Sequence, residues 1–306
     1  MDIFNIRKKR ILVAGLITFT CCILMVAFPT IALYSARKGI SLWLGNVLPA
    51  LLPFFICANF LYNIGVIRFL KSGVFPFAMS VLSGYPMGAK IVGDLKRGGE
   101  ISLNEARRLM SFCSTSGPAF MAGAVGAGML GSGFLGGIIA VSHYVGAIMN
   151  GAVYTFIYGK SQYEPELRTA APGKSIQEAF TEAILSAFKS LGIVLAYIVL
   201  FMFITDIFHM CGGFSLIQNP QLRALFKGFL EMTVGCGAVA ELSGTGKCVK
   251  CVLCTAIMSW GGLSVMGQSM SMLSGTGISL RFLFVSKLTH CVFSALTALI
   301  ICSFVL

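Results

Sequence analysis

Glu231 is an acid inside an apolar stretch, between Phe229-Leu230 and Met232. An ionised side chain at membrane depth costs several kcal/mol unless it finds a partner. Glu231 could therefore hold a substrate donor, a coupling proton or a cation, or form a structural salt bridge with Lys90 or Lys247. It opens the string Glu231-Met232-Thr233-Val234-Gly235-Cys236-Gly237, in which Thr233 and Gly235 are the small, polar, helix-interrupting positions. Three further strings share that character: Ser83-Gly84-Tyr85-Pro86, Ser114-Thr115-Ser116-Gly117-Pro118 and Ser259-Trp260-Gly261-Gly262. A broken helix exposes N–H groups at one tip and carbonyls at the other. Those tips attract anions and cations respectively. One such break would only ease close helix packing. Four breaks in two matching pairs, two of them with Pro, read as the lining of a solute cavity.

Lys90 follows the first tip and is either an anion contact or a cytoplasmic anchor. Ser264 and Gln268 lie one turn apart beyond the last break and could donate hydrogen bonds into a cavity. The other polar residues of the spans carry less chemistry. Asp206 and Lys189 fall near the ends of a long helix, where snorkelling suffices. Lys287 lies within a span and counts for neither side of the membrane; His143, His209 and His290 are scattered without a visible partner and read as packing or interfacial residues. Of the 11 cysteines, Cys21, Cys22, Cys57, Cys291 and Cys302 sit in apolar runs, where Cys is a small buried hydrophobe. Cys248, Cys251 and Cys254 repeat every three residues with no further ligand nearby, so neither a metal nor a cofactor is expected. The sequence contains no H-E-x-x-H, G-x-S-x-G or complete phosphate-binding loop; Gly246-Lys247 is followed by Cys248 where Ser or Thr would be needed. An enzyme is not expected.

The elements that must position these residues are membrane helices. Hydrophobic residues make up 57% of the chain and charged residues 11%, with a mean hydropathy of +0.87. Soluble domains carry roughly 25% charged residues. The bilayer is the expected partner, together with a small, anionic solute. The net charge of +12 lies in short clusters between apolar runs, without the basic and aromatic interleaving of a nucleic-acid surface, so no nucleic acid is expected. A homo-oligomer is compatible with the pattern.

Arg7 to Arg10 followed by the apolar run 11–33 reads as a first transmembrane helix with a cytoplasmic N-terminus, since the run is too long for a signal peptide. A second helix is expected over 40–64, kinked by Pro49 and Pro53. The apolar piece Val74 to Leu82 is too short to cross a bilayer and predicts a re-entrant hairpin with its tip at Ser83 to Lys90. Ser102 and Glu105 form a capping box that starts a helix near Leu103. That helix breaks at Ser114 to Pro118 and resumes over Ala119 to Leu130, and a full span follows at 133–158. After a polar loop at 159–175 with Pro165, Pro172 and Gly173, the plan repeats. A long helix at 179–208 leads to a short piece, Leu222 to Leu230, and then the Glu231 tip. A helix from Cys248 breaks at Ser259 to Gly262 and resumes to Leu273, and a last span covers 277–304.

The expected fold is an all-α polytopic membrane protein: an inverted repeat of helices with two re-entrant hairpins and two broken helices. Its units are an N-terminal helix (1–38), a first repeat (39–158), a cytoplasmic linker (159–175) and a second, inverted repeat (176–306). Each repeat crosses three times, so the second must be inverted. With the N-terminus inside, fifteen Lys and Arg fall on cytoplasmic ends, including Arg68, Lys71, Lys160, Arg168 and Lys174, against six outside.

The strings SGYPMGAKI at Ser83 to Ile91, FCSTSGPAF at Phe112 to Phe120 and SWGGLSVMGQ at Ser259 to Gln268 resemble the YlbJ (SpoVV) family of sporulation integral membrane proteins. The resemblance spans about 40–300 and implies a nucleoside-recognition (Gate) domain. It also implies export of dipicolinate from the mother cell across the outer forespore membrane. The helix tips and Lys90 would then meet the carboxylates, and Tyr85 or Trp260 the ring. A nucleoside or other small solute, and a non-transporting structural role in spore maturation, are the alternatives.

Overall fold

A computed structural model describes residues 2–66, 73–159 and 175–306, and among the described residues every regular element is helical. Arg68, Lys71 and the loop residues 160–174 lie outside the described residues.

Helix α1 (Asp2–Ala27) does not continue to residue 33. It stops before Pro29, and α2 (Pro29–Leu42) leaves at an angle of 104°. The cause is local: a proline ring pushes the preceding residue out of the helical region. Phe28 accordingly sits at φ −125°, ψ 62°, while Pro29 begins a helix where its missing N–H costs nothing. The second helix thus starts eleven residues ahead of the expected residue 40. It passes through a π-helical turn (Trp43–Val47) into α3 (Leu48–Asn63). Pro49 cannot bond the carbonyl four residues back and crowds it. The wider π turn just before it takes up the misfit.

Short helices follow: α4 (Val74–Ser83), α5 (Met87–Arg97) and α6 (Leu103–Phe112). Helix α6 starts at the expected residue, with Ser102 Oγ accepting from Glu105 N–H at 3.1 Å. The box is half made, because the Glu105 carboxylate pairs with Arg108 instead. A π-helix (Ala119–Met129) and α7 (Gly133–Tyr158) complete the first half. The second half runs α8 (Ile176–Met210), α9 (Pro220–Leu230), α10 (Met232–Ala240), α11 (Lys247–Trp260), α12 (Gly262–Met272) and α13 (Leu280–Val305).

Both halves therefore present a long helical run, a short pair, a broken pair and a final helix, α7 and α13 having 26 residues each. Corresponding elements pack on one another: α13 lies along α7, and α8 along α2 and α3. Inverted repeats related by an in-plane axis produce such pairings.

Helices α7, α8, α11 with α12, and α13 are each long and apolar enough to cross a membrane, and the bent α1–α2 pair makes a fifth if counted as one. The apolar residues they leave exposed, such as Phe156, Leu299 and Phe304, meet acyl chains rather than water. The chain is an integral, multi-pass α-helical membrane protein.

Candidate functional site

Each half brings its two breaks into backbone contact. In the first, Gly84 follows α4 at φ 79°, ψ −166°, a region only glycine enters freely. A Cβ there would lie 2.6 Å from the Gly117 nitrogen, so the Ser83–Pro86 and Ser114–Pro118 breaks cross with no room for a side chain. In the second half, Gly262 at φ 80° faces the Glu231 backbone, where a Cβ would lie 3.1 Å from the Glu231 Cα. The sequence identifies the four breaks; the fold shows which break meets which.

Polar side chains join the first crossing to the second half. Tyr85 donates its hydroxyl to the Met258 carbonyl at 3.1 Å, at the end of α11. The same hydroxyl accepts from Lys287 Nζ at 2.5 Å, and Nζ also donates to the Ser114 carbonyl at 3.0 Å. Nζ stands 4.4 Å from the centre of the Tyr85 ring, within cation–π range. His143 on α7 bridges the second breaks of both halves. Its Nε2 accepts from the Ser116 N–H at 3.0 Å, so the proton is on Nδ1, which donates to Ser259 Oγ at 2.8 Å. His290 packs its ring 4.7 Å from His143 and donates from Nε2 to the His143 carbonyl. Tyr144 donates to the Ser116 carbonyl at 2.9 Å. Deeper along the same helices, Asn150 donates to the Ser111 and Ser286 carbonyls and accepts from Thr289.

Tyr85, Ser114, Ser116 and Ser259 thus enter one network, with Gly84 and Gly117 at its crossing. Pro86 caps α5, Thr115 donates to Ser80 Oγ, and the buried Ser83 hydroxyl has no hydrogen-bond partner among the described residues. Glu231 pairs with neither Lys90 nor Lys247; its carboxylate caps α10 by accepting from the Val234 N–H at 2.8 Å. Thr233 follows in that first turn, and Gly235 packs against Gly228 inside the α9–α10 hairpin. Lys90 is tied to Asp94 at 2.7 Å, and Asp94 also holds Arg97. Ser264 and Gln268 are buried and bond to each other at 3.3 Å. Trp260 stacks on Phe229 and donates to its carbonyl. Asp206 accepts from Ser35 at 2.6 Å, while Lys189 and His209 are exposed.

The residues that sequence reasoning passed over are Lys287, His143 and His290. Lys287 carried a usable signal, since the cost that singles out Glu231 applies equally to an amine within a span. The histidines carried none, because only the fold places their rings together. Among the described residues, no three His, Cys, Asp or Glu side chains are grouped to hold a metal ion.

The sporulation integral membrane protein YlbJ of Bacillus subtilis (strain 168) is 28% identical to this chain, over 90% of the chain and 79% of the relative. The chain is thus similar to YlbJ over most of its length. No family model and no solved structure matches it. The three strings that carry the resemblance contribute Tyr85, Ser114, Ser116 and Ser259 to the network. Those strings meet at one place in the fold.

Proposed function

We propose that this chain is a membrane transporter or channel for a small anionic metabolite, acting in sporulation, with dipicolinate leaving the mother cell across the outer forespore membrane as the first candidate. The observation that carries the reading is the crossing of paired helix breaks, linked between halves by Tyr85 and His143. Non-helical backbone at membrane depth persists where protein shields it or a solute path needs it. Broken elements meeting between repeats are where transporters bind their solutes. The name of the Bacillus relative supports a role in sporulation. In this reading the N-terminus is cytoplasmic, the solute is the only small-molecule partner, and the protein performs no bond chemistry.

Purified protein in proteoliposomes should take up labelled dipicolinate, either saturably as a carrier or in proportion to the gradient as a channel. Empty liposomes should not. Folded protein that moves no dipicolinate would sink this choice of solute, and a failure with a panel of other small carboxylates would sink the transport reading.

A further inference from the structure

Lys287 is a basic side chain with no acidic partner among the described residues. Its side chain is buried on α13, at 4% exposure, and all three of its recorded contacts are neutral: the Tyr85 hydroxyl, the Tyr85 ring and the Ser114 carbonyl. Every acidic side chain near the breaks is engaged elsewhere: Glu231 caps α10, Asp94 holds Lys90 and Arg97, and Glu105 holds Arg108. No ion pair among the described residues includes Lys287. An ammonium has three N–H donors, and two are used. A neutral donor could link Tyr85 to Ser114 without the cost of desolvating a charge. At the same break, two residues before Tyr85, the buried Ser83 hydroxyl lacks a partner.

We propose that Lys287 is the carboxylate-binding residue of the solute site, with Tyr85 and Ser114 holding the ammonium in place until a small organic carboxylate supplies the missing negative charge. The carboxylate takes the free N–H and displaces the Tyr85 hydroxyl from Nζ. Because Lys287 is buried, the ligand reaches it only when the Ser83–Pro86 break moves away from α13. The assignment takes its biological meaning from the transport reading, but a binding measurement tests it separately.

Calorimetric titration of the purified full chain in detergent would compare pyridine-2,6-dicarboxylate with its neutral diamide. The wild-type protein should bind the dianion and discriminate against the diamide by at least about tenfold. Lys287→Gln should weaken the dianion about thirtyfold, the worth of a charge-assisted hydrogen bond in a dry site, and abolish the discrimination. Lys287→Arg keeps a basic group at the same place, so it should retain the discrimination between dianion and diamide; this variant decides the matter if Lys287→Gln does not fold. The assignment is overturned if wild type does not bind the dianion, if a folded Lys287→Gln binds it within about twofold of wild type, or if folded Lys287→Arg no longer discriminates between dianion and diamide. Lysine-dependent binding without any flux in proteoliposomes would uphold the assignment and sink the transport reading instead.

Discussion

The two crossings of helix breaks follow one plan and end in different states. In the second half the crossing is satisfied mostly from within, with Ser259 reaching His143 on α7. Glu231 satisfies the first turn of α10, Trp260 stacks on Phe229 and bonds its carbonyl, and Gly262 lies against the Glu231 backbone. In the first half the crossing reaches outward: Tyr85 bonds α11, Ser116 bonds α7, and Ser114 holds a lysine from α13. One crossing uses its acid to finish a helix, and the other takes in a basic side chain that has no acidic partner among the described residues. One architectural plan thus ends in two different polar arrangements.

The most severe test of that contrast is steric. Gly84→Ala places a Cβ against the Gly117 nitrogen in a backbone region hostile to side chains, whereas Gly262→Ala meets atoms at 3.1 Å. We expect Gly84→Ala to destabilise by about 3 kcal/mol or more and Gly262→Ala by about 1–3 kcal/mol. Thermal unfolding in detergent would show the order, and equal losses would mean that the two crossings are equally tight. Next in size is His143→Ala, which leaves the Ser116 N–H and the Ser259 hydroxyl unpaired and removes one link between the halves. Its expected cost is about 3 kcal/mol, read in the same assay. A loss below about 1 kcal/mol would show that the link is dispensable.

A smaller effect is expected at Glu231. If the acid is a cap, Glu231→Ala should cost about 1 kcal/mol and Glu231→Gln less, because the amide oxygen can still accept from Val234. Solute uptake should survive both. Collapse of uptake in a stable Glu231→Gln protein would move the binding role to the second crossing and reverse the comparison. The smallest effect belongs to Lys90, whose ion pair with Asp94 should contribute about 1 kcal/mol or less. Lys90→Met should change uptake by less than about twofold, and a tenfold drop would restore Lys90 as an anion contact.

Much of this fold is legible in short windows. The start of α6 at Leu103 follows from Ser102 and Glu105, and the Ser-, Gly- and Pro-containing strings fall where helices stop. The end of α1 was legible too, since Pro29 excludes the helical region for Phe28, but the apolar run continues past it and hides the corner. The early start of α2 follows from the same proline. Lys287 was visible as a charge in an apolar segment and was set aside because nothing near it in sequence suggested a partner. The pairing proposed for Glu231 failed for the complementary reason. Its partner is the N–H three residues ahead, so long-range lysines were not needed.

The sequence by itself determined the solvent, the helical class and the positions of the breaks. Hydropathy and helix interruption are properties of a few neighbouring residues, and no distant contact can restore an N–H to proline or move a 26-residue apolar run into water. The tertiary structure decided which breaks cross, that the acid of one crossing is used as a helix cap, and that the other holds a buried lysine with no acidic partner among the described residues. Tyr85 and Lys287 are 202 residues apart, and His143 and Ser259 are 116 apart. Contacts at such separations depend on how whole helices pack, and no local pattern records that packing.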